Sequence, residues 1–329
     1  MYKENLIVLI LIISIVSSMT YTIPDYPFSS WEPAYEQNYS KSNRENDYEI
    51  RWIIIHVAQG SFQATVSWFK NPKSRVSAHF VISKDGSKIV QMVKIKDFAW
   101  HAGNLQYNRH SIGIEIEGYV NETIWPDSLY DKLSKLLIWL ANQYNISLKH
   151  IDGIAPPNPN EDSGIIGHSQ VPDPNNPSLG GGRSHHTDPG PLFNWSKLMK
   201  YIDKNREWLN NISEADKLKI SLVNTYGKTV FKVSCFYNGE KNLYSLFRIH
   251  VNDKIVGILG CNEDGIRIFS LDLKPGEYDI YVSNSRTKSN ILKISIKNKE
   301  KILYFSLAAV GLITLSIIYY IFKIKKKPN

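Results

Sequence analysis

At 329 residues, with 43% hydrophobic and 21% charged residues, the chain is too apolar for a disordered segment and long enough for about two folded domains. The formal charge is +8, but setting aside Lys3, Glu4 and the four lysines beyond residue 322 leaves 34 basic against 30 acidic residues. With no Lys/Arg cluster inside that body, composition argues against a nucleic-acid partner.

In chain order, Lys3 precedes the apolar run Leu6–Val16 and the small residues Ser17 and Ser18, the layout of an export signal over 1–20. Residues 21–46 are rich in Pro, Tyr, Ser and Asn without periodicity, and read as a linker wrapping onto the domain that follows. Arg51–His56 reads as a buried strand ending in a histidine. Phe62–Lys70 reads as a short helix stopped by Asn71-Pro72. Val76–Ile82 and Ile89–Val93 read as strands joined at Asp85-Gly86. In Ser111–Glu117, alternation puts Ile112, Ile114 and Ile116 on one face and Gly113, Glu115 and Glu117 on the other.

Leucines at helical spacing from Leu129 to Leu140 predict a helix over 127–144, with Pro126 at its start. Ile165–Gly167 is a short strand running into His168, and 194–209 reads as a closing amphipathic helix. From Lys217 the period becomes two, which predicts a small β-sandwich over 217–298. Cys235 and Cys261 lie there without metal-ligand spacing. They pair as one disulfide in an oxidising compartment, or stay as buried thiols otherwise. Ile302–Phe322 carries no charge over 21 residues and is followed by the basic tail 323–329. That is a transmembrane helix with its lysines inside the cell, and it places the globular part outside, at the cell membrane, as a single-pass protein. Sequons at Asn38, Asn121, Asn145, Asn194 and Asn211 agree with export.

The chemistry gathers on element ends. His56 and His168 each end an apolar run, and Asp188 sits in the turn Thr187-Asp188-Pro189-Gly190. Two imidazoles and one carboxylate leave a fourth position open, the layout of a catalytic Zn²⁺ site. Glu115 is the first candidate for proton carrier and Glu117 its competitor. His186, two residues before Asp188, points the same way in an extended turn and is placed to stabilise an oxyanion. His185 then points away, His101 and Trp100 line a substrate groove, and His79 packs in the core.

These residues stand in motifs. Ile53-Ile54-Ile55-His56, Arg75–Phe80, Ala99-Trp100-His101-Ala102-Gly103, Ser111–Glu115, Gly167-His168-Ser169 and Thr187–Pro191 follow the order seen in type-2 N-acetylmuramoyl-L-alanine amidases. That family includes bacteriophage-type lysozyme amidases and peptidoglycan recognition proteins, and the resemblance covers about residues 45–205. It implies an α/β fold with a mixed central β-sheet flanked by helices, and a zinc amidase domain at about 47–210. It implies His56, His168 and Asp188 as zinc ligands and Glu115 as the catalytic glutamate. His186 falls where many members carry a lysine and others a histidine. The implied reaction cleaves the amide between N-acetylmuramic acid and L-alanine in peptidoglycan or a related wall polymer. A non-catalytic wall-fragment recognition protein and a zinc hydrolase of another amide are the alternatives. The stretches 151–164 and 171–184 are long for the family, and the β domain and membrane anchor lie outside its core.

Overall fold

The computed structural model describes residues 23–297, apart from 213, 225–227, 242–243 and 263. The export signal expected at 1–20, the apolar segment 302–322 and the tail 323–329 lie outside the described residues. Among the described residues no helix is long and apolar enough to cross a membrane.

The first region runs β1 (Ser30–Trp31), β2 (Tyr39–Ser40), α1 (Arg44–Asp47), β3 (Trp52–Val57), α2 (Phe62–Lys70), β4 (Phe80–Ile82), β5 (Ile89–Gln91), β6 (Phe98–Ala99), α3 (Leu105–His110), β7 (Ser111–Ile116), α4 (Asp127–Tyr144), β8 (Gly164–Gly167) and α5 (Trp195–Lys204). Six strands form one mixed sheet in the order β1-β5-β4-β7-β3-β8. Strands β4, β7, β3 and β8 run parallel, and β5 is antiparallel to β4.

Every residue of β3 is buried, as expected of an inner strand covered on both faces. Period two then assigns the faces. Ile53, Ile55, Ile112, Ile114 and Ile165 share one core with Leu129, Leu133, Leu137, Leu198 and Ile202 of α4 and α5. Trp52, Ile54 and Ile166 face the other way, with Tyr107 of α3. His56 continues that second row, and Glu115 is its Cα partner on β7, so the two share the face opposite α4. Burying each of these isoleucines contributes roughly 2–3 kcal/mol, which fixes the register that carries the polar strand ends.

Local signals set the helix limits. Ser61 caps α2 by accepting from Ala64 N–H at 3.3 Å. Asn145, at φ 53°, ends α4 in the left-handed region. Helix α5 ends at Lys204 rather than 209. There Asn205 turns back onto α4, donating to Ser134 Oγ at 2.8 Å and Asp131 Oδ1 at 3.1 Å. A short turn, Trp208–Asn211, follows and buries Trp208. The strand expected from Val76 begins only at Phe80. Ser77 bonds instead to loops, its N–H to Trp100 O at 3.1 Å and its Oγ to Asn38 O at 2.8 Å. Asn38 itself is fully buried and bonded through both side-chain atoms, so this sequon serves the fold.

The segment before β3 does more than connect. Strand β1 pairs with β5, and β2 with β6. Tyr26 sits in the first core, and Ile23 in the core of the second region. Gly260 N–H bonds to Pro27 O at 3.0 Å, and the Arg267 guanidinium donates to Ser29 O.

That second region is all-β: β9 (Lys217–Asn224), β10 (Thr229–Tyr237), β11 (Glu240–Lys241), β12 (Leu246–Val251), β13 (Lys254–Gly260), β14 (Ile266–Leu271), β15 (Gly276–Ser283) and β16 (Leu292–Ile296). Strands β9, β11 and β14 pair with β10, and β13-β12-β15-β16 form the other sheet. Phe231 and Val233 of one sheet meet Phe247, Ile249 and Ile280 of the other in one core. Cys235 on β10 and Cys261, just past β13, form a disulfide.

Candidate metal centre

Two strand ends and one turn meet on the sheet face opposite α4. His56 is the fifth residue of β3. His168 follows β8 directly and starts a short helical turn. Asp188 arrives from the loop, whose Pro189 packs close on Gly167: a Cβ there would lie 2.5 Å from Pro189 Cδ. The peptide bond Asp188-Pro189 is cis. Ser169 N–H, in the turn after β8, holds the Asp188 backbone at its carbonyl at 2.8 Å, and Val57 N–H, at the end of β3, donates to the carboxylate Oδ2 at 3.2 Å.

His56 Nδ1 lies 3.4 Å from Asp188 Oδ2, and His168 Nδ1 lies 3.2 Å from Asp188 Oδ1. All three residues are buried, and their ligand atoms lie within 4.8 Å of one another. A tetrahedral ion with bonds of about 2.0–2.1 Å separates neighbouring ligand atoms by about 3.3 Å. Two nitrogens and a carboxylate at this spacing fit such an ion. Burial, then the neighbouring His168, hold the His56 imidazole down to about 4 against the pull of Asp188, so it is a neutral donor at pH 7. Burial raises Asp188, but the His168 and His56 rings close beside it outweigh burial and leave the carboxyl well below its usual range. His56 and Asp188 are thus in the protonation states that metal binding needs.

Glu115 stands beside His56. Its Oε2 is enclosed without a protein partner among the described residues. Burial, then the Asp188 carboxylate, push its pKa up to about 8, into the range where a carboxyl can both give and take a proton near neutral pH. Glu117 does not compete. Strand β7 ends at Ile116, and Glu117 Oε2 accepts from Lys84 N–H at 2.9 Å in a separate surface groove.

His186 is exposed and stacks on the His168 ring at 4.5 Å, with Nδ1 3.8 Å from Asp188 Oδ1. Burial and then His168 lower its pKa. His185 turns outward to Asp173, at 3.4 Å. Trp100 lines the groove, its Nε1–H held by Ser40 Oγ at 2.9 Å. His101 also touches the groove, yet it is only 8% exposed, and its Nδ1 lies 3.0 Å from His56 Nε2. It lines the groove and also stands behind the His56 ring. His79 is fully buried, with Nδ1 accepting from Gly113 N–H at 3.1 Å.

The groove has a volume of about 580 Å³. Sequence reasoning misses two of its features. Trp68 and Val76 form an apolar wall with Trp100; Trp68 is 49% exposed, and its place on the outer side of α2 was the available signal. Arg44 is buried beneath the site, donating to Ile95 O, Ser111 O and Arg109 O, with Nη2 2.9 Å from His79 Nε2. Nothing in the composition of 21–46 marks it.

Residues 46–191 match the sequence family described as N-acetylmuramoyl-L-alanine amidase. N-acetylmuramoyl-L-alanine amidase A of Achromobacter lyticus is 29% identical over 180 residues, covering 54% of this chain and 96% of that protein. The 1,6-anhydro-N-acetylmuramyl-L-alanine amidase AmpD of Escherichia coli (strain K12) is 33% identical over 137 residues, which are 40% of this chain and 60% of that protein. A crystal structure of a Se-Met AmpD derivative aligns over 55% of this chain and 99% of its own, with 24% identity and a TM-score of 0.39.

Proposed function

Residues 46–191 belong to the N-acetylmuramoyl-L-alanine amidase family, and on that premise we propose that this enzyme is a zinc-dependent amidase of the cell wall. Its substrate is the amide joining the lactyl group of N-acetylmuramic acid to L-alanine, in peptidoglycan or a related polymer. The observation that carries the reading is the convergence of His56, His168 and Asp188 on one buried point, with Glu115 on the same sheet face.

His56 Nδ1, His168 Nδ1 and the Asp188 carboxylate would hold the ion. When bound, it supplies Lewis acidity to the scissile carbonyl and acidity to water. Glu115 takes the proton of the attacking water and returns it to the leaving nitrogen of L-alanine. His186, at the open side of the site, donates to the carbonyl oxygen as negative charge develops there. Trp68, Val76 and Trp100 give the groove an apolar wall against which the lactyl-peptide lies.

The enzyme works outside the cell, at the membrane, held by the apolar segment 302–322 with the lysines of 323–329 inside. The uncharged run and its basic flank support this, and the Cys235–Cys261 disulfide suits an oxidising compartment. The test is digestion of purified muropeptides by the zinc-loaded protein, read by mass spectrometry. Release of stem peptides with a new L-alanine amino terminus, abolished by EDTA, is expected. Zinc-loaded protein that releases none would turn the reading to another amide or to recognition of wall fragments.

A further inference from the structure

We propose that His101 is a positioning residue that fixes the tautomer of His56, so that His56 Nδ1 is free for the metal; this rests on the metal reading above. The argument runs through donors and acceptors from a group that can only accept. Tyr107 O is a backbone carbonyl, and the Ser111 hydroxyl donates to it. With its proton so committed, Ser111 Oγ accepts at its other contact, from His101 Nε2–H at 3.3 Å. His101 Nδ1 is then the bare nitrogen, and it accepts from His56 Nε2–H at 3.0 Å. One proton per neutral ring leaves His56 Nδ1 bare, and that is the atom 3.4 Å from Asp188 Oδ2.

The ring of His101 has little freedom to do otherwise. It lies on the backbone of β7 at Gly113, where a Cβ would come within 2.6 Å of His101 Cγ. The backbone N–H groups of His101 and Ala102 both donate to Asn108 Oδ1, at 3.0 and 2.8 Å. Helix α3 therefore supplies both the carbonyl of Tyr107 that starts the chain of bonds and the carboxamide of Asn108 that holds the backbone. Metal-binding histidines commonly donate their second N–H to such a partner, and loss of the partner costs about 10–100-fold in metal affinity. His168 has no counterpart: its Nε2 is buried without a partner among the described residues.

The test measures zinc affinity of the full chain by chelator competition, which needs no substrate. His101→Leu keeps the bulk and removes the acceptor, and should weaken zinc binding by about 10–100-fold. His101→Asn places an oxygen where Nδ1 stood and should stay within a few-fold of wild type. Ser111→Ala leaves His101 in place while removing the acceptor for its Nε2–H, and should weaken binding by several-fold. This third variant keeps the test open should His101→Leu fail to fold. Leu and Asn variants that weaken binding equally would reduce His101 to packing and overturn the inference. So would Leu and Ser111→Ala variants that bind as wild type does. A wild-type chain that binds no zinc would instead overturn the metal reading itself.

Discussion

The sheet that ends at His56 and His168 and the two sheets that follow residue 216 use burial in opposite ways. The first region buries five histidines, His56, His79, His101, His110 and His168, together with Arg44 and Asp188. Among the described residues of the second region, Arg267 is the one buried charged side chain, and the core is apolar around the Cys235–Cys261 disulfide. Buried polar groups cost free energy unless each has a partner. The first region meets most of that cost with hydrogen bonds, leaves Glu115 Oε2 and His168 Nε2 without a partner among the described residues, and so gathers a polar cluster on one sheet face. The second closes its core with a covalent link and presents no comparable cluster among its described residues. Chemistry should therefore be separable from the stability of the β region, and substitutions can test that separation.

The largest effect falls on the metal centre. Asp188→Ala removes one of the three proposed ligands; zinc content should collapse, and turnover should fall by at least about a thousandfold. Metal analysis and muropeptide digestion of the same preparation check this, and full zinc retention would remove Asp188 from the ligand set. Glu115→Gln should leave zinc bound while turnover drops by about 10²–10⁴-fold. Activity kept at wild-type level would mean that another group carries the proton.

Opening the disulfide probes the other side of the comparison. Cys235→Ala with Cys261→Ala should lower the stability of the β region by about 3 kcal/mol, as expected for a closed loop of this length (sequence separation 26). Turnover should not change. Denaturant unfolding and digestion assays together read the result, and a loss of turnover would show that the two regions act as one. His186→Ala should lower kcat by about a hundredfold with KM little altered, and His186→Lys should restore part of it. An unaltered kcat would exclude His186 from the chemistry.

The smallest effect is on stability against pH. Burial, then the Arg44 guanidinium, hold the His79 imidazole well below its ordinary value of 6.5. The unfolded chain therefore takes up a proton below pH 6.5 that the folded one refuses. Stability of metal-free protein should fall from pH 7 toward pH 5, by up to about 1.4 kcal/mol per pH unit for each such histidine. Denaturation midpoints across that range should be flatter for His79→Gln.

Much of this was legible in the sequence where one face of one element decides. Helix Phe62–Lys70 follows from its Asn71-Pro72 stop, and Asp127–Tyr144 from Pro126 at its start and its apolar spacing. The alternation of Ser111–Ile116 assigns Glu115 its face, and three motifs distant in sequence supply the cluster. What escaped depends on partners far away along the chain. His101 reads as a groove residue, which it is, but that its ring also backs His56, 45 positions earlier, appears only in the fold. Arg44 lies in a stretch whose composition resembles a linker, yet its partners are carbonyls 51 to 67 residues downstream. Glu117 follows the alternation on paper but lies one residue past the last paired position of β7. Strand β13 carries Gly257 and Gly260 and exposes Ile255 and Ile258, so its pattern does not alternate cleanly enough to mark a strand.

The central claim is that three distant residues form one zinc site for hydrolysis. Anomalous scattering from crystals of the protein, recorded across the zinc absorption edge, tests it most directly. The account predicts a single strong peak within about 2.0–2.2 Å of His56 Nδ1, His168 Nδ1 and an Asp188 oxygen. Crystals of active protein with no peak there, or with zinc bound by other residues, would contradict it.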